Sequence, residues 1–232
     1  MTEKQQKAIS YFEKAAQAYD IEDYENEKKN LEEAIKLNPN YLDAYNNLAN
    51  LLMYHFDQQD KAKEYLAKAI KIKPENADDC NIIANILTDY FEDYDKAKQY
   101  LEEAIESDPE SPDAYNNLAN LLVSYFEEYQ KAKEYYEKAI KLDPEFAEVY
   151  NNLANLLTDT FEEHEKAKEY YEKAIELDPN FAEAYNNYAL ILTELFEEHE
   201  KAKKYYELAI ELEPDFEEAH ENLDHLLSNH LK

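Results

Sequence analysis

Six prolines, Pro39, Pro74, Pro109, Pro144, Pro179 and Pro214, recur at intervals of 35 residues. A fixed period of this length predicts a stack of like units, each able to bury its apolar face only against its neighbours. Stacked units also present long surfaces, so the period points to a binding scaffold before any side chain is considered.

The prolines set the register of the unit. Tyr45-Asn46-Asn47-Leu48-Ala49-Asn50 recurs at Tyr115–Asn120 and Tyr150–Asn155, and more loosely at Cys80–Asn85 and Tyr185–Leu190. Each copy opens a helix that runs towards a Phe: Phe56, Phe91, Phe126, Phe161 or Phe196. After a short acidic stretch a second helix starts near Lys-Ala-Lys. It carries one alanine in phase at positions 62, 97, 132, 167 and 202 and another seven residues later, at 69, 104, 139, 174 and 209. Two helical turns put both on one stripe, where small side chains let helices approach closely. Leu66, Leu101, Tyr136, Tyr171 and Tyr206 fall between them and supply bulk. Proline then stops the second helix, so each unit reads as a helical hairpin.

The unit resembles the tetratricopeptide repeat, a 34-residue helix–turn–helix whose bulky, small and proline positions are matched by Tyr115, Leu118, Ala119, Leu122, Ala132, Tyr136, Ala139 and Pro144. The resemblance covers about residues 3 to 231. Two departures stand out. The family's glycine is alanine at positions 49, 84, 119, 154 and 189, a change worth about 1 kcal/mol in a helix interior. Each full unit also holds one extra residue near the end of its first helix, and the Phe there is expected to fill the added space. A 35-residue step also belongs to pentatricopeptide repeats, which read RNA base by base. The charge decides against them: 54 acidic residues against 24 basic ones give −30, and arginine is absent.

The same acidity makes nucleic acid and anionic membrane improbable partners and favours basic ones. No glycine is present, so glycine-dependent phosphate loops are excluded. Cys80 is the one cysteine, which rules out an intrachain disulfide and fits a reducing compartment. The charged start MTEKQQKAIS does not look like a signal peptide, and no apolar run reaches the roughly 20 residues of a membrane span. A cytoplasmic location is expected.

The resemblance implies that first helices line a concave groove where partners bind. Positions facing it hold Asn46, Asn81, Asn116, Asn151 and Asn186 in one row and Asn50, Asn85, Asn120 and Asn155 in a second. A carboxamide can pair with both the C=O and the N–H of an extended peptide. Asn47, Asn117, Asn152 and Asn187 are expected to bond within the scaffold instead. Asp43, Asp78, Asp113, Glu148 and Glu183 flank the rows, with Glu218 in the last helix, and would attract Lys- or Arg-bearing segments. The lysine and arginine clamp with which co-chaperone members of the family hold a C-terminal carboxylate has no counterpart here.

Chemistry beyond binding is thin. His220, His225 and His230 stand five apart, so along a helix each is turned about 140° from the last and they are expected not to share a face. His164 and His199 occupy the loop place of Tyr94 and Tyr129, and Cys80 replaces a core tyrosine. No enzyme activity, metal, cofactor or small-molecule substrate is expected. The sequence thus predicts an all-α, right-handed solenoid forming one domain over 1–232, with hairpins at about 3–39, 40–74, 75–109, 110–144, 145–179 and 180–214 and a capping helix at 216–231. The expected function is a non-catalytic scaffold binding an extended, basic segment of another protein along the Asn-rich acidic groove. The alternative is a structural or regulatory subunit docking a folded partner, or itself, through helix edges or the convex face.

Overall fold

The computed structural model describes residues 2–230, and Leu231, the last residue of the expected cap, lies outside them. The described residues form thirteen α-helices and one π-helical turn, with no strand. They fall into two compact units, Met1–Pro109 and Glu110–Lys232. The first holds three hairpins: α1 (Glu3–Tyr19) with α2 (Tyr24–Leu37), α3 (Leu42–Tyr54) with α4 (Gln59–Ala69), and α5 (Ala77–Phe91) with α6 (Tyr94–Ser107). The second holds α7 (Pro112–Leu121) with α8 (Tyr129–Leu142), α9 (Ala147–Asp159) with α10 (His164–Leu177), and α11 (Ala182–Glu194) with α12 (His199–Leu212). A last helix, α13 (Glu217–Asn229), packs on α12 and α11.

Local chemistry sets the helix ends. Thr2 and Gln5 close a capping box on α1, while Asp23, Asn76, Asp93 and Ser111 cap α2, α5, α6 and α7 through their side-chain oxygens. Tyr41, Phe146, Phe181 and Phe216 precede α3, α9, α11 and α13 without a side-chain cap bond. Two of these aromatic residues serve packing: Phe181 lies on Tyr150, Ala174 and Ala184, and Phe216 on Tyr185, Ala209 and Ala219. The alanine pairs of the second helices are fully buried from Ala62 to Ala209, as helix–helix contact across a small-residue stripe requires.

The end of each first helix has a left-handed residue in its backbone. Glu22, Asp57, Glu92, Glu127, Glu162 and Glu197 adopt left-handed conformations, with φ between 51° and 57°. They too recur every 35 residues, and in a chain without glycine each carries a Cβ in a region that disfavours it. Following them, the N–H groups of Gln58, Asp93, Glu128, Glu163 and Glu198 reach back six residues to Leu52, Leu87, Leu122, Leu157 and Leu192, at 2.8–3.2 Å. A Schellman helix end closes with a bond that reaches back five residues, so these ends are longer by one. In the unit of α7 the insertion widens the helix into a π turn, Leu122–Phe126. The first hairpin differs, since Asp23 N–H reaches back only five residues, to Ala18, at 2.8 Å.

The Phe residues beside these ends bind one hairpin to the next. The Lys28 ammonium lies 4.5 Å from the Phe56 ring centre, Lys133 4.5 Å from Phe161, and Lys168 4.4 Å from Phe196. Lys133 and Lys168 also reach Glu163 at 2.6 Å and Glu198 at 2.5 Å. Each such lysine is therefore sandwiched between a ring face and a carboxylate of the following hairpin.

Candidate functional site

The first helices of the second unit divide the asparagines by depth. Asn116, Asn151 and Asn186 are buried, at 1%, 0% and 0% exposure. Their Nδ2 groups donate to Oε1 of Glu148, Glu183 and Glu218 on the next first helix, at 3.0, 3.1 and 3.2 Å. Their Oδ1 atoms accept from Nδ2 of Asn152, Asn187 and Asn222, at 3.2, 3.2 and 3.0 Å. This row is a ladder between hairpins, closed on the scaffold itself. The expectation that it lies open to a peptide is corrected, and the cause is geometric. Four residues advance a helix by about 40° beyond a full turn, which leaves one row under the neighbouring helix and the other at the surface.

Asn120 and Asn155 are at that surface. Asn120 Oδ1 accepts from the Tyr136 hydroxyl at 2.6 Å and from Asn152 at 3.2 Å; Asn155 Oδ1 accepts from the Tyr171 hydroxyl at 2.5 Å. The Nδ2 groups of both meet no acceptor among the described residues. Burial raises the Tyr136 and Tyr171 hydroxyls far above the ordinary phenol range, so both remain donors at any physiological pH. Asn152 and Asn187 bond within the scaffold, as the sequence led us to expect.

These side chains border a cleft of about 410 Å³ lined by Asn120, Asn152 and Asn155, by Glu148, Asp159 and Glu183, and by Tyr136, Leu156 and Phe181 among others. No lysine lines it. Asp159 stays open to water, yet the crowding walls remove part of its hydration and push its carboxyl above the usual range. An adjoining cleft of about 360 Å³ shares Asn155 and Asp159 and adds Leu190, Ile191 and Leu195.

In the first unit Asn46 is half-buried, Asn81 is buried and Asn85 is exposed. Asn50 accepts from the Tyr90 hydroxyl of α5 at 2.8 Å. Asp43, Asp78 and Asp113 are exposed, as are Glu148 and Glu183. A separate cleft of about 470 Å³ lies between α1, α2 and α3. It contains Glu27, which sequence reasoning missed; the available signal was a carboxylate standing in phase with the alanines of later hairpins.

The histidines need a second correction. His230 is the cap residue of α13 and leaves the helical path, so its ring comes within 6.1 Å of His225 and 4.4 Å of His199. Glu194, His225 and His230 bring one ligand atom each to within 4.8 Å of one another, an exposed set whose donors suit zinc or a similar divalent ion. His220 instead bonds the Pro214 carbonyl at 3.0 Å. Cys80 is buried, and burial raises its thiol above the ordinary range.

Comparison with known proteins gives a consistent picture. Three models described as tetratricopeptide repeat match, at residues 18–41, 112–146 and 147–181, at 30–64 and 170–204, and at 89–124, together well over half of the chain. No curated protein sequence matches. Among solved structures, the chain is similar to pilF of Pseudomonas aeruginosa, with 23% identity, 97% of this chain and 100% of that chain covered, and a TM-score of 0.68. It is also similar to a chain of the APC/C hetero-tetramer Cut9–Hcn1, with 14% identity and a TM-score of 0.73, over 95% of this chain and 43% of that one. MamA matches at 22% identity over 76% and 94%, with a TM-score of 0.50. No helix among the described residues is long and apolar enough to cross a membrane.

Proposed function

The chain belongs to the tetratricopeptide repeat family, and on that premise we propose that it is a non-catalytic adaptor holding an extended, Lys- or Arg-bearing segment of another protein. The segment lies in the cleft bounded by Asn120, Asn155, Glu148, Asp159 and Glu183. The observation that carries this reading is the pairing of free carboxamide donors with carboxylates that no lysine of the cleft neutralises. Asn120 and Asn155 offer N–H groups to the carbonyls of a strand-like segment, each bond adding about 0.5–1.5 kcal/mol. The acids supply the charge term, and a cation settling among them recovers the hydration that Asp159 has already lost.

The test is fluorescence anisotropy with a labelled peptide of about ten residues alternating Lys and Ala. Affinity is expected to fall at least about tenfold between 50 and 500 mM salt, and to fall again in Asp159→Asn at fixed salt. Absence of binding at low salt would contradict the reading.

Leu190 and Leu195, 38% and 43% exposed beside the second cleft, favour another mode, in which a folded partner or a second copy docks on apolar surface. Such binding would be insensitive to salt, so the same titration separates the two.

A further inference from the structure

Glu27 stands in α2 at the register held by Ala62, Ala97, Ala132, Ala167 and Ala202 in the later hairpins, all with no exposed surface. Five repeats place the smallest packing side chain there and one places a carboxylate. Glu27 is only 7% exposed, and its Oε2 is buried with no hydrogen-bond partner among the described residues. An ionised carboxylate in that condition opposes folding, because nothing replaces the water it loses. Burial alone raises its proton affinity. A sequence that breaks its own repeat rule at such a cost does so where function demands it.

The side chain borders the cleft of about 470 Å³ between α1, α2 and α3. Two tyrosines at the rim, Tyr19 and Tyr54, are 59% and 78% exposed and so bury little of their rings in the core. Leu31 and Leu51 form apolar wall, and Asn50 supplies a polar edge. A carboxylate without a partner, aromatic rings able to turn their faces inward and an alkyl-lined wall together suit one chemistry: an ammonium group on a short aliphatic stem.

We infer that this cleft is a receptor for a primary ammonium group, with Glu27 as its counter-ion and Tyr19 and Tyr54 closing over its stem. The group can come from a lysine side chain or from a chain's amino terminus. The inference stands apart from the peptide cleft of the second unit and survives its failure, since the probes below are small molecules read at different residues.

Three probes are titrated into the full chain at about pH 7, where α-ammonium and lysine ammonium groups both carry charge, and followed by two-dimensional NMR. Nα-acetyl-lysine amide presents only a side-chain ammonium, alanine amide only an α-ammonium, and Nα-acetyl-norleucine amide neither. At least one ammonium probe is expected to shift resonances of Tyr19, Glu27 and Tyr54, and norleucine is expected to leave them unmoved. Whichever ammonium binds identifies the source. Glu27→Gln should weaken that binding at least about tenfold. Glu27→Ala, which restores the residue of the other hairpins, should abolish it and raise the melting temperature. The inference is overturned if neither ammonium shifts these residues, if norleucine binds as well, if Glu27→Gln binds unchanged, or if Glu27→Ala melts lower than the parent.

Discussion

Three residues before the second buried alanine position of its second helices (Ala34, Ala69 and Ala104) the first unit carries Leu31, Leu66 and Leu101, whereas the second unit carries Tyr136, Tyr171 and Tyr206 before Ala139, Ala174 and Ala209. Both sets are buried, so the difference lies less in apolar area than in the hydroxyl. In the second unit Tyr136 and Tyr171 reach across their own hairpins to fix Asn120 and Asn155. In the first unit Asn50 is held instead by Tyr90 of the following hairpin. Tyr188 extends the polar theme: fully buried where other repeats have Leu or Ile, it donates its hydroxyl to Glu172 and accepts from Lys201 at 2.8 Å. The contrast teaches that one repeat can be assembled with either an apolar or a hydrogen-bonded seam. The bonded version also orients carboxamides, which is what an extended ligand needs.

The comparison is most exposed to failure at the buried ladder. Asn151→Ala removes both the bond to Glu183 and the bond from Asn187 and should cost about 1–3 kcal/mol in urea denaturation. Asn46→Ala, at the same register but with no comparable pair of bonds, should cost less than about 0.5 kcal/mol. Equal losses would mean that the ladder adds nothing. Next in size, Tyr171→Phe removes the phenol that holds Asn155 and should cost about 1 kcal/mol. A feature shared by both units should respond equally in both: Glu92→Gly and Glu162→Gly relieve a Cβ at positive φ and should each stabilise by about 0.5–1 kcal/mol.

The smallest expected effect is on pH dependence. Burial raises the carboxyls of Glu27 and Asp89 in the first unit and Asp159 in the second. Their opposition to folding is present above the raised folded-state values and is relieved as pH falls towards the unfolded ones. Glu163 and Glu198 are lowered, first by hydrogen bonds to Lys133 and Lys168. Their stabilisation is present above the ordinary carboxylate range and is lost as pH falls through their folded values. Melting temperature should therefore rise from pH 7 to about 5 and fall below about 4. A steady decline from pH 7 downward would break this assignment.

The hairpins, the alanine stripe and the place of the inserted residue were legible in the sequence because each follows from period and side-chain size. Depth within the groove was not. Asn116 and Asn120 differ by one turn plus about 40°, and only packing of the next helix decides which is covered. The left-handed glutamates were equally hidden, since acidic residues in a loop read as solvated charge. His230 escaped because a helical wheel does not extend past the cap.

One measurement tests the central claim, that the two asparagine rows divide support from recognition. Binding of the Lys-Ala peptide is titrated calorimetrically against Asn151→Ala and Asn155→Ala, each corrected for its folded fraction. The account predicts that Asn151→Ala binds as the parent does despite lower stability, while Asn155→Ala binds about three- to tenfold more weakly, the worth of one hydrogen bond. Weakened binding in Asn151→Ala beside unchanged binding in Asn155→Ala would contradict it.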